Sequence, residues 1–156
     1  MKCSTEQTKK NRQEDLGDKH RQKKLRVIVD ANFLLIPSQF SVDIFEELAR
    51  VLNRSFEPLI TLPTYRELQT IAEKSPPKLQ RQAILALKLA GKCRIINVKK
   101  NSSESHDNLI VRLASAMKCC VATNDRALKK KLRQLGLTVI YLRQRSHLAV
   151  DGAVQV

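Results

Sequence analysis

Arg26-Val27-Ile28-Val29 reads as a short buried strand, and it stops on a carboxylate, Asp30. An apolar strand that leads straight into an acid needs a partner for that charge, because an unpaired carboxylate removed from water is costly. Working outward, the same pattern returns near the other end of the chain. Cys119 to Thr123 is a second run of this kind, followed at once by Asn124 and Asp125.

Between and beyond these runs, strands alternate with helical periodicity. Ser41 is a good N-cap for a helix that puts Ile44, Phe45, Leu48, Val51 and Leu52 on one face. Pro58 to Leu62 is a short strand, and Pro63-Thr64 opens a helix to about Lys74 with Leu68 and Ile71 as its stripe. Pro76-Pro77 interrupts, and Lys78 to Ala90 resumes as a helix stopped by Gly91. Arg94 to Val98 is a further strand; a polar loop, 101–105, leads into a helix from His106 to Met117. After Cys119–Thr123 comes a helix from Asn124 to Leu135, capped by Gly136, and a last strand from Thr138 to Leu142. Short strands alternating with longer helices imply an α/β fold, with a central parallel sheet of about five strands flanked by helices.

Residues 1–24 carry only Met1, Cys3 and Leu16 as sizeable apolar side chains, so they predict a flexible basic tail ahead of a single domain at 25–145. Residues 146–156 read as a mostly irregular C-terminal tail. Aromatic residues are 4% and Trp is absent, so the core falls to Leu, Ile, Val and Ala. The net charge of +14 is the strongest compositional signal: so basic a domain attracts polyanions, RNA first among them, because neutralising phosphates releases counterions. A merely soluble basic protein is the bland alternative. The four cysteines include no C-x-x-C pair and read as buried reduced thiols, with Cys119 and Cys120 pointing to opposite faces. No apolar stretch approaches the roughly 18 residues of a membrane span, and the polar N-terminus is unlike a signal peptide. A cytoplasmic protein without a membrane partner is expected.

Ligands of open α/β sheets bind beyond the C-terminal strand ends, so the polar residues that follow the apolar runs are the candidates. Asp30 and Asp125 reach that edge independently. Asp107 lies in the first turn of the helix entered from the third strand, and Glu67 one turn into the helix after the second. Each has an ordinary explanation alone: Asp is favoured at helix starts, and a helical Glu commonly faces solvent. Together, four converging acids repel one another unless a cation sits among them. Oxygen-only ligands suit Mg²⁺ or Mn²⁺, which would activate water and neutralise charge on a phosphate.

The order Val29-Asp30-Ala31-Asn32-Phe33-Leu34, Arg66-Glu67-Leu68, Ser105-His106-Asp107-Asn108-Leu109-Ile110 and Ala122-Thr123-Asn124-Asp125-Arg126-Ala127-Leu128 resembles a PIN domain. The resemblance spans about residues 25–145 and is nearest to archaeal PIN proteins related to VapC-type toxins and to the PIN endonuclease of eukaryotic small-subunit rRNA processing. It implies that Asp30, Glu67, Asp107 and Asp125 hold one or two Mg²⁺ or Mn²⁺ ions for RNA cleavage, with Asn32, Thr123 and Asn124 supporting them. Many relatives carry two adjacent Asp where this chain has Asp107-Asn108, which weighs against a second metal ion and not against the first. His106 reads as an exposed histidine without a role.

Between Arg126 and Arg145 stand Arg126, Lys129, Lys130, Lys131, Arg133, Arg143 and Arg145, with no acid among them. Of these, Lys129, Lys130, Arg133 and Arg143 are the candidates for RNA phosphates, a solvated helix face being the ordinary alternative. Three functions fit. One is a metal-dependent endoribonuclease of RNA processing, for example on rRNA precursors, with a ribosome-assembly partner. Another is a toxin ribonuclease held by an antitoxin. The third is a non-catalytic RNA-binding module, which has no reason to keep four like charges together. A homodimer is a family-level expectation.

Overall fold

The computed structural model describes residues 24–154. The tail expected at 1–24 therefore lies, apart from Lys24, outside the described residues. Six strands form one sheet: β1 Leu25–Val29, β2 Phe56–Thr61, β3 Arg94–Ile96, β4 Cys120–Ala122, β5 Val139–Arg143 and β6 His147–Asp151, in the order β3-β2-β1-β4-β5-β6. All neighbours are parallel except β5 and β6, which pair antiparallel from Val139↔Asp151 to Arg143↔His147. Seven helices connect them: α1 Ala31–Leu34, α2 Ile36–Phe40, α3 Ile44–Leu52, α4 Leu62–Lys74, α5 Pro77–Ala90, α6 His106–Met117 and α7 Arg126–Gln134.

Alternation along the strands builds two cores, as a parallel sheet covered on both faces requires. Val27, Val29, Ile60, Cys120, Ala122 and Ile140 pack with Phe33, Leu34, Ile44, Leu48, Leu68 and Ala86 of α1, α3, α4 and α5. Their strand neighbours Ile28, Leu59, Val121 and Val139 face the other way, onto Leu109, Ile110, Leu113, Leu128 and Leu132 of α6 and α7. Cys119 and Cys120 fall into opposite cores, and burial pushes the Cys93 and Cys119 thiols up to about 11. Cys93, Cys119 and Cys120 are unpaired, buried thiols.

Three readings of the sequence are corrected. Residues 31–40, left without an element, form the two short helices α1 and α2. Ser41 does not cap α3: it closes α2 in the left-handed region (φ 56°), and the cap is Asp43, whose carboxylate accepts from the Glu46 N–H at 3.2 Å. The supposedly irregular end contains β6. Its turn is closed by the Ser146 N–H donating to the Arg143 carbonyl at 3.2 Å, with Gln144 and Arg145 both left-handed (φ 55° and 59°). Such primed turns favour Asn-Gly, and each non-glycine residue held there costs on the order of 1–2 kcal/mol.

β6 is tied down on both sides to offset that strain. From α3, Glu47 Oε1 accepts the Leu148 N–H at 3.0 Å while Arg50 Nη2 donates to the Leu148 carbonyl at 3.2 Å. From α7, Lys129 and Arg133 approach the Asp151 carboxylate at 3.4 and 3.2 Å.

Candidate active site

The strand order reverses direction between β1 and β4: β2 and β3 lie on one side of β1, β5 and β6 on the other side of β4. In an open α/β sheet such a switch point marks the ligand edge at the C-terminal strand ends, and each predicted acid sits on an element that leaves this edge. Asp30 leaves β1 and caps α1, Asp125 follows β4 and caps α7, Glu67 sits in α4 after β2, and Asp107 sits in the first turn of α6 after β3.

Asp30 is the most enclosed of them, 6% exposed. Its Oδ1 accepts the Ala31 N–H at 2.8 Å, and its Oδ2 accepts from Asn32 Nδ2 at 3.1 Å and from Thr123 Oγ1 at 2.9 Å. Burial pushes its carboxyl above the usual aspartate range. The bonds from Thr123 and Ala31 and the nearby His106 pull it back, and the negative charge of Asp107 adds to the rise. The net direction marks a carboxylate held short of compensating positive charge.

The three polar residues named beside the acids knit this end together. The fully buried Thr123 hydroxyl accepts the Asp125 N–H at 3.1 Å while donating to Asp30. Asn32 Oδ1 accepts the Asn124 N–H at 3.0 Å, and Asn124 Oδ1 accepts the Leu142 N–H at 2.8 Å. One chain of bonds thus runs from β1 through β4 to β5. Asp125 Oδ1 holds the Ala127 and Leu128 N–H groups at 2.8 and 3.2 Å, the capping role that its position alone predicts.

On the α4 and α6 side of this edge, His106 is more than an exposed histidine. Its Nε2 lies 2.7 Å from the buried Thr64 hydroxyl and 3.7 Å from Glu67 Oε2, with a quarter of its side chain accessible. Thr64 in turn accepts from the Thr61 hydroxyl at 2.9 Å. If the hydroxyls donate in sequence, Thr61 to Thr64 to Nε2, His106 carries its proton on Nδ1. The first turns of α4 and α6 are thereby fastened together. No local signal announces this, because the partners are 42 positions apart. Asn108, in place of a second Asp, has its N–H on the Ser105 hydroxyl at 3.1 Å in the N-cap of α6.

Among the described residues, no three His, Cys, Asp or Glu side chains close into a ready-made metal cage. The donor set still fits a hard divalent cation, since Mg²⁺ keeps several waters and takes one or two carboxylates directly. It does not fit zinc, which demands close tetrahedral nitrogen or sulfur ligands.

The predicted basic residues divide. Lys129 is occupied: besides the Asp151 pair, its Nζ sits 3.5 Å from the centre of the Tyr141 ring. Arg133 also donates to the Leu137 carbonyl at 3.1 Å. Lys130 and Arg143 are exposed, and Arg143 lines a groove of about 510 Å³ with Phe40, Thr123, Asn124, Arg126, Tyr141 and Arg145.

Set against known proteins, residues 27–145 match the family described as PIN like domain. The chain belongs to the PIN-domain family. It is 28% identical to Ribonuclease VapC4 of Methanocaldococcus jannaschii, over 83% of this chain and 98% of that protein. It is 34% identical to the rRNA-processing protein FCF1 of Saccharomyces cerevisiae over 70% of this chain, spanning about half (55%) of that protein. Its fold superposes on the PIN domain endonuclease Utp24 with a TM-score of 0.66 and 28% identity, covering 84% of this chain and 94% of that one. In this PIN domain the family match ends at Arg145, on the turn before β6. No helix among the described residues is long and apolar enough to cross a membrane.

Proposed function

We propose that this PIN domain is a metal-dependent endoribonuclease of RNA processing, acting on precursors such as those of rRNA. The support for this reading is the placement of Asp30, Glu67, Asp107 and Asp125 on four elements that leave the C-terminal edge of the sheet, with the carboxyl of buried Asp30 raised by that burial and further by Asp107. The name of FCF1 supports the processing role, and that of Utp24 the endonuclease.

Asp30 and Asp107 would be the main ligands of one Mg²⁺ or Mn²⁺ ion, with Glu67 and Asp125 reaching it directly or through its waters. When bound, such an ion lowers the pKa of a water and neutralises charge building on the phosphate. The protein's own part is positional. Thr123 and Asn32 hold Oδ2 of Asp30 and the Ala31 N–H holds its Oδ1, and the His106–Thr64 link holds the Glu67 helix against the Asp107 helix. Asp125 has its Oδ1 engaged in capping α7.

The whole-length match to VapC4 favours a second reading, a toxin ribonuclease of the same chemistry restrained by an antitoxin. A small antitoxin gene beside this one would select it.

The test is to incubate the protein with RNA in Mn²⁺, in Mg²⁺ and in chelator, beside Asp30→Asn. Cleavage that needs the ion and disappears in the variant is expected. Cleavage that persists in chelator, or in Asp30→Asn, would overturn the assignment.

A further inference from the structure

We propose that the groove between Phe40, at the end of α2, and the β5–β6 hairpin is a nucleotide subsite. Arg126, Arg143 and Arg145 hold the phosphates of the RNA strand there, and Phe40 stacks a base. The identity of the ligand rests on the ribonuclease reading; the location rests on four independent features of this chain.

The first is charge without partners. Lys129 and Arg133 share the one carboxylate of Asp151, whereas Arg126, Arg143 and Arg145 are exposed and have no acid partner among the described residues. Guanidinium forks match phosphate oxygens two at a time. The second is continuity: Thr123 and Asn124 line the groove and also belong to the bond network of Asp30, so a chain lying in it runs into the acids.

The third is the floor. Phe40, Tyr141 and Leu142 give the groove an apolar bottom. Lys129 covers one face of Tyr141, so Phe40 is the ring assigned to a base. A nucleotide uses both features of the groove, its phosphates on the arginines and its base on the ring. The fourth is the hairpin, which presents Arg145, the last residue of the family match, from a left-handed backbone with no glycine. Strain of that kind persists where the surrounding structure enforces it, here through the ties of β6 to α3 and α7.

The subsite therefore reassigns the basic residues. The cations of the RNA surface are those of the groove, whose lining includes Lys129, and Arg133 serves to hold β6.

The experiment follows a labelled RNA oligonucleotide by anisotropy over a KCl series, in an Asp30→Asn background that prevents cleavage. Arg143→Gln with Arg145→Asn removes two charges, and Asn tolerates the left-handed position. This pair is expected to weaken binding roughly tenfold at moderate salt and to flatten the log–log salt slope by about 1.4, two contacts at ~0.7 each. Phe40→Leu, which keeps the packing volume, should weaken binding several-fold with the slope unchanged.

An unchanged slope in the arginine pair, with the fold intact by circular dichroism, would sink the subsite. So would loss of polyglutamate binding in place of RNA binding, which would reassign the arginines to an acidic protein. The nuclease reading fails separately. A protein with intact acids that binds RNA through these arginines and cuts in no metal keeps the subsite and loses the enzyme.

Discussion

The two ends of the site hold their side chains by different physics. At the β1–β4 end, Asp30, Thr123, Asn32 and Asn124 are joined by short hydrogen bonds away from solvent, and Asp30 is the one charged group among them. At the hairpin end, β6 depends on partly exposed ion pairs, Glu47–Arg50 and Lys129–Arg133–Asp151, and it presents arginines from a strained turn. Buried hydrogen bonds fix atoms closely and ignore salt; exposed ion pairs are weak one by one and fade as salt rises. An arrangement that must place a metal ion is built the first way, and one that must grip a long polyanion is built the second.

The sharpest way to break this contrast is Asp30→Asn. Cleavage should fall on the order of a thousandfold or more. The same variant removes a charge that burial disfavours, but its amide accepts fewer bonds than the three donors on Asp30 offer, so the two effects oppose at neutral pH. The pH dependence isolates the charge: above the raised folded pKa, wild type carries the ionised carboxylate at a cost. As pH falls through it toward the unfolded value, 3.8, wild type gains stability relative to Asn. A difference that does not shift this way on acidification would contradict the picture of a carboxylate disfavoured by burial. Adding Mg²⁺ should raise the melting point of wild type and not of Asn.

Next comes Thr123→Val, nearly isosteric, which removes the donor to Asp30 and the acceptor of the Asp125 N–H. It should cost about 1–3 kcal/mol by urea unfolding, independent of salt. A loss that varies with salt would place Thr123 in the other class.

His106→Ala strips a partner from the buried Thr64 hydroxyl and should cost about 1 kcal/mol. Divalent-ion affinity, followed by calorimetry, should fall more than that, because the α4 and α6 turns lose their tie. His106→Gln, which retains a group able to meet the hydroxyl, should recover part of both. Equal behaviour of Ala and Gln would make the contact incidental.

The smallest effect belongs to the hairpin end. Asp151→Asn should cost under about 1 kcal/mol, and the difference should vanish at high salt. Glu47 adds a pH signature. The bond from Arg50, with that from the Leu148 N–H, holds its carboxyl below the usual glutamate range. Its contribution is therefore fully present above the unfolded value, 4.5, and lost as pH falls through the lower folded one. Glu47→Gln should flatten that acid limb in a pH-dependent melt.

What the sequence disclosed follows from how local each signal is. Apolar runs such as Val27–Val29 ended on acids, so the sheet and the acid positions were legible. The bounds of α6 were too, since Ser105 caps it and its stripe is regular. Ser41 misled because it and Asp43 are both good capping residues two positions apart, and only tertiary packing of Val42, 7% exposed, decides between them. β6 was hidden because Gln144 and Arg145, the two left-handed residues of its turn, are not among the residues that usually mark a tight turn. The role of His106 and the occupation of Lys129 and Arg133 by Asp151 rest on pairings across the chain, which no window of sequence contains.

The Asp30–Thr123 bond spans 93 positions, and β1 has β4 as its neighbour in the sheet's centre. A ribosome making this chain must release β4 before Asp30 meets the hydroxyl that orients it. On the proposed reading, a nuclease is being assembled within reach of the ribosome's own RNA. Its topology keeps it inert there: the nascent chain stays harmless through most of its synthesis, and activity arrives only when nearly the whole domain has emerged.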